Sequence, residues 1–108
     1  KDHLIKLKGT LINPLVIEEI LTHCSDIEEY QIVLKRANEG DSFSPEKMVL
    51  CVASQTEDTE SLKRFLEREV KRAVDITPEI EIVPKEAIFD PDRSMKAVRL
   101  IDLRHASS

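Results

Sequence analysis

Met48, Val49, Leu50, Cys51, Val52 and Ala53 follow one another without a polar interruption. A strand over Lys47–Ser54 carries these apolar side chains on both of its faces, because successive side chains point to opposite sides. Such a strand belongs in the middle of a sheet or under helices, not at an exposed edge. The rest of the chain must therefore supply neighbours and cover. Upstream, Tyr30, Ile32 and Leu34 alternate with Gln31, Val33 and Lys35, the period of a half-buried strand over Glu28–Arg36. Asn38-Glu39-Gly40-Asp41-Ser42 and Ser44-Pro45 between the two runs are turn chemistry. The two strands are expected to pair antiparallel.

Cover comes from two helical patterns. Asn13-Pro14 opens the first, since Asn can accept an orphan backbone N–H and Pro suits the first helical position. Ile17, Ile20, Leu21 and Cys24 then fall on one face, and the helix is expected to end near Ser25-Asp26. The second runs over about Glu60–Val74 behind the cap candidates Thr56, Asp58 and Thr59. Leu62, Phe65, Leu66, Val70 and Ala73 form its expected inner face, and Glu60–Arg64 and Glu67–Lys71 are favourable i,i+4 pairs. A short strand over Leu4–Leu7 precedes the first helix. Thr77-Pro78 leads a further strand over Glu79–Val83, ended by Pro84. Asp90-Pro91-Asp92-Arg93 is a turn, and Ala97–Leu103 reads as a last edge strand. The order β-α-β-β-α-β with an extra C-terminal edge strand or hairpin predicts an α+β, ferredoxin-like sandwich. With 108 residues the whole chain, 1–108, forms one domain.

Composition narrows the function classes. A formal charge of −5, one Tyr and no Trp make a poor nucleic-acid surface, which needs basic patches and stacking aromatics. No apolar run approaches the ~20 residues of a membrane-spanning helix, and no signal peptide is visible. Cys24 and Cys51 lie on apolar faces and read as reduced, packed thiols, which points to the cytoplasm. The chain opens at Lys1, without Met and almost within a strand, so it reads as a piece of a longer protein.

Nothing in the residues alone assembles a complete active site. His3, His23 and His105 are far apart in the sequence and lack metal-ligand spacing, so no metal site is expected. Glu18-Glu19 and Glu28-Glu29 are adjacent pairs, which a helix or strand points apart. The two glycines are too distant for a Gly-rich phosphate loop. By composition, Lys96 is a surface lysine.

Both ends of the chain nevertheless resemble one family. Asp2-His3-Leu4-Ile5-Lys6-Leu7-Lys8-Gly9 is similar to the junction at which adenylate-forming (AMP-binding) enzymes pass into their small mobile C-terminal domain. Asn13-Pro14 and the apolar-Glu-Glu helix that follows point to the phenylacetate-CoA ligase branch. At the other end, Lys96-Ala97-Val98-Arg99-Leu100-Ile101-Asp102-Leu103-Arg104 resembles the run that carries that branch's lysine. Met95 stands where the family has Gly, and His3 where it has a second Asp.

The resemblance implies the swivelling domain of an aryl- or acyl-CoA ligase whose larger, N-terminal adenylation domain is its partner. A small-molecule carboxylate attacks the α-phosphate of ATP with Mg²⁺ assisting, and coenzyme A then displaces AMP. It further implies Lys96 as the catalytic lysine of adenylation, Asp2 as the hinge, and Lys8, Gly9 and Thr10 as the loop on the coenzyme A side; the isolated domain is expected to be inactive. Two alternatives stay open. One is the related branch that adenylylates a deazaflavin coenzyme. The other is a regulatory ferredoxin-like module binding a small effector.

Overall fold

A computed structural model describes residues 4–38, 43–88 and 99–104. The elements in order are β1 (Ile5–Leu7), β2 (Thr10–Ile12), α1 (Pro14–Thr22), β3 (Ile27–Arg36), β4 (Glu46–Ser54), α2 (Thr59–Val74), β5 (Glu79–Ile82), α3 (Lys85–Ile88) and β6 (Leu100–Asp102). The result is an α+β, ferredoxin-like sandwich. A four-stranded sheet runs β5-β4-β3-β6. β3 and β4 pair antiparallel from Ile27↔Ser54 to Arg36↔Glu46, and β5 and β6 flank them in parallel to β4 and β3.

The doubly apolar run does sit in the middle. Met48, Leu50 and Val52 on one face of β4 join Tyr30, Ile32 and Leu34 of β3, Ile80 of β5, and the helical residues Ile17, Leu21, Leu62, Leu66 and Val70 in one core. Val49 and Ala53 point to the opposite face and are buried as well. There α3 lies against β3 and β4, with Ile88 buried and Lys85 paired to Glu28 at 3.0 Å. That pairing and the Glu28 hydrogen bond raise the Lys85 pKa.

Helix boundaries follow their caps. Asn13 Oδ1 accepts from the Leu15 N–H at 3.0 Å, with Pro14 in the first turn. Asp58 Oδ1 accepts from the Ser61 N–H at 3.2 Å and caps α2. Hydrogen bonding from Ser61, its side chain first and then its backbone N–H, holds the Asp58 carboxyl below its usual range. At the other end of α2, Asp75 adopts a left-handed conformation with φ 63°, and its N–H donates to the Lys71 carbonyl.

Five expectations need correction. The first strand does not run straight into a helix-leading loop: β1 turns back on β2 and forms a separate hairpin, Ile5↔Ile12, Lys6↔Leu11 and Leu7↔Thr10. Leu7 and Ile12 drop from it into the main core. The single turn α3 is additional. Phe65 and Ala73 face outward, because only the Leu62–Leu66–Val70 stripe of α2 is buried. The ion pairs along α2 are Arg68–Glu69, Arg72–Glu69 and Lys71–Asp75, not Glu60–Arg64 and Glu67–Lys71. Cys24 and Cys51 are free and only half-buried; burial, then Glu81, pushes the Cys51 thiol pKa up.

Candidate functional site

Of the residues singled out from the sequence, Lys8, Gly9 and Thr10 fall within the described structure. Asp2 and Lys96 lie outside the described residues. Lys8 and Gly9 are the two loop residues of the β1–β2 hairpin, and both have positive φ, 54° and 80°. A tight hairpin of this kind needs left-handed backbone at both positions so that its twist matches the strands. Gly meets that need freely. Lys does not: a side chain in the left-handed region crowds the following carbonyl at a cost of roughly 1–2 kcal/mol. Lys8, Gly9 and Thr10 are all exposed. Among the described residues nothing lies within 4 Å of the position that a Gly9 Cβ would take.

The turn is exposed but not loose. Leu7 and Thr10 form the pair that closes the two-residue turn, and the Lys8 N–H donates to Glu46 Oε1 at 2.8 Å. Glu46 is the first residue of β4. Its other oxygen, Oε2, accepts from Arg104 Nη1 at 3.2 Å and pairs with Arg36 Nη2 at 3.6 Å. Arg104 is the centre of this knot, with only 9% of its side chain exposed. Its Nε and Nη2 donate to the two oxygens of Asp102 at 2.9 and 2.8 Å, and its Nη1 also donates to the Lys6 carbonyl. The Asp102 hydrogen bond leads the interactions that raise the Arg104 pKa, so the guanidinium is a permanent cation. One carboxylate and one guanidinium thus fasten the hairpin to the end of the sheet where β3 stops, β4 begins and β6 leaves.

A second cluster receives the strand that follows the Lys96 segment in sequence. Arg99 sits over the Tyr30 ring at 4.4 Å, pairs with Glu29 and donates to the Tyr30 carbonyl at 3.0 Å. The Arg99 carbonyl in turn accepts from the Ile32 N–H at 2.7 Å, which starts the β3–β6 pairing. The Tyr30 hydroxyl donates to Glu18 Oε1 of α1 at 2.9 Å. Burial first, then the Glu18 carboxylate, pushes the Tyr30 pKa up to about 12.

Spacing in the sequence did not single out Glu46, Arg36 or Tyr30 as site residues. Their common signal is only a charged or hydroxyl-bearing residue on a strand end, which becomes meaningful once β3, β4 and β6 are in register. Two grooves of about 300 and 320 Å³ flank α1 and α2; neither is lined by Lys8, Gly9 or Thr10. Among the described residues no three His, Cys, Asp or Glu converge on a metal position, and no helix is long and apolar enough to cross a membrane.

Residues 9–104 match the family described as the AMP-binding enzyme C-terminal domain. The crystal structure of a domain of phenylacetate-coenzyme A ligase from Bacteroides vulgatus ATCC 8482 is 33% identical, with 95% of this chain and 94% of that one covered and a TM-score of 0.77. 2-Hydroxyisobutyryl-CoA ligase, solved with 2-HIB-AMP and CoA in its thioesterification state, shares the fold at 22% identity and a TM-score of 0.74. That match covers 96% of this chain but only 22% of the ligase. A comparison with curated proteins gave no match. The chain belongs to the family of C-terminal domains of AMP-binding enzymes.

Proposed function

We propose that the chain is the mobile C-terminal domain of an ATP-dependent acid–thiol ligase of the phenylacetate-CoA ligase type, working against an N-terminal adenylation domain on a small carboxylate. The observation that carries this reading is the Lys8–Gly9 turn: strained at Lys8, bare at Gly9, and fastened from behind by Glu46 and Arg104.

Coenzyme A, when bound, supplies the thiol that displaces AMP from an acyl-adenylate formed from ATP with Mg²⁺. The open space around Gly9 fits a thin, flexible arm passing along the backbone, which any Cβ would narrow. Lys8 puts a cation at the same tip. In the adenylation pose the domain presents Lys96 instead. Its ammonium offsets the charge that builds on the carboxylate and α-phosphate oxygens, an effect largest where water is excluded. Asp2 marks the hinge, where a few backbone dihedrals absorb the rotation between poses. A domain that only swivels has no activity by itself, and its site of work is the cytoplasm.

The test measures thiolysis of a pre-made acyl-adenylate by the full-length ligase carrying Gly9→Val. The proposal expects thiolysis to fall on the order of 10²-fold, as misplacement at a reacting centre does, with carboxylate-dependent ATP–pyrophosphate exchange kept. Thiolysis at the wild-type rate would refute it and favour the deazaflavin branch, which forms no thioester.

A further inference from the structure

The turn needs a fixed position to meet a thiol, and its own residues do not supply one. The hairpin has only three residues in each strand and forms its own two-stranded sheet. Ladders this small are marginal in water without further packing. Leu7 and Ile12 anchor the hairpin's base in the core, but the tip is exposed on Lys8, Gly9 and Thr10. What fixes the tip is polar. Glu46 Oε1 takes the Lys8 N–H at 2.8 Å, while Oε2 takes Arg104 Nη1 at 3.2 Å. Arg104, with 9% of its side chain exposed, also holds the Lys6 carbonyl two residues before the turn. The partners therefore grip the turn from its backbone and leave the outward face clear.

Resting on the reading of this turn as the coenzyme A side of the domain, we infer that Glu46 is a positioning residue for the thioester step, and that Arg104 holds Glu46 in place. Glu46 touches no reacting atom. It sets where the Lys8–Gly9 backbone stands relative to the sheet, and through it where the turn arrives when the domain swings. A carboxylate suits this task because hydrogen bonds to an ionised acceptor are shorter and about twice as strong as neutral ones. Arg104 supplies the second hold because its fork reaches Asp102, Glu46 and the Lys6 carbonyl together.

The experiment compares Glu46→Ala, Glu46→Gln and Gly9→Val in the full-length ligase, with both half-reactions measured separately. Glu46→Ala is expected to lower kcat/KM for coenzyme A in thiolysis on the order of tenfold or more. ATP–pyrophosphate exchange should stay within about twofold. Glu46→Gln keeps an acceptor for the Lys8 N–H but turns a donor NH2 towards Arg104, so it should recover only part of the loss. Hydrogen exchange at the Lys8 amide gives a readout without any ligand: at least about tenfold faster in Glu46→Ala, with the core amides of β4 unchanged. If Gly9→Val slows thiolysis but both Glu46 variants do not, the positioning role is wrong and the reading of the turn stands. If Gly9→Val is also silent, the reading of the turn itself fails. Equal loss of both half-reactions in Glu46→Ala and Glu46→Gln, or an unchanged Lys8 amide, would overturn the inference.

Discussion

Lys8 sits at a position where the backbone wants another residue, so replacing it should stabilise the domain. Its φ is 54° and that of Gly9 is 80°, the pair of left-handed conformations for which Asn-Gly is the preferred hairpin sequence. Holding an ordinary side chain there costs roughly 1–2 kcal/mol, and Asn, which enters this region several-fold more readily, recovers about half of it. Lys8→Asn keeps the N–H that donates to Glu46. A gain of about 0.5–1 kcal/mol corresponds to about 2–5 °C in Tm for a chain of this size. Gly9→Ala isolates the opposite sign: with nothing among the described residues within 4 Å of the new Cβ, the loss of about 1 kcal/mol is purely conformational. Urea and thermal unfolding of the 108-residue chain measure both. The functional half is that Lys8→Asn slows thiolysis in the full ligase while raising Tm, the trade expected when strain is kept for a working side chain. A Lys8→Asn variant that is less stable than wild type refutes the strain argument. One that is more stable and fully active refutes the functional reason for keeping Lys.

Tyr30 is the only tyrosine and there is no tryptophan, so tyrosinate absorbance reports one group: it should titrate at about 12 in the folded chain and near 10 in denaturant. The folded state then holds that proton more tightly, so the stability Tyr30 contributes is complete below pH ~10 and lost as pH rises towards ~12. Arg99→Ala, which removes the cation beside the ring, should move the folded midpoint higher; a midpoint near 10 in the folded wild type contradicts the burial and the Glu18 contact. In the helix layer, Leu66→Ala should cost about 2–5 kcal/mol, since Leu66 is fully buried. Phe65→Ala should cost less than about 1 kcal/mol, because Phe65 is 37% exposed and its cation contact with Arg68 at 5.9 Å is a surface one. Equal urea midpoint shifts for the two would place Phe65 in the core after all.

Long, strongly patterned segments and the antiparallel β3–β4 pairing are legible in the sequence; the partners of the short elements are not. The alternation of Tyr30, Ile32 and Leu34 gave β3, the doubly apolar Met48–Ala53 run gave a central β4, and Asn13-Pro14 gave the start of α1. The hairpin was missed because its turn reads Lys-Gly; the usual first residue, Asn or Asp, is absent, and three-residue strands carry almost no period. The α3 turn escaped for the same reason of length, although Pro84 before Lys85-Glu86-Ala87 is a helix-start signal. Spacing alone puts Phe65 inside, because helical spacing defines a stripe but not its width, which α1 and the sheet decide. Lys8, Gly9 and Thr10 were singled out through family resemblance, whereas Glu46 and Arg104 were not joined to them. Their meeting spans 38 residues from Lys8 to Glu46 and 58 from Glu46 to Arg104, and only strand register brings it about.

On the reading proposed above, one domain serves two half-reactions from two different segments. Lys96→Ala in the full-length ligase tests it most directly, with carboxylate-dependent ATP–pyrophosphate exchange and thiolysis of a pre-made acyl-adenylate measured side by side. Exchange should fall on the order of 10²-fold or more with thiolysis unchanged. Exchange at the wild-type rate would contradict it and leave Lys96 an ordinary surface lysine.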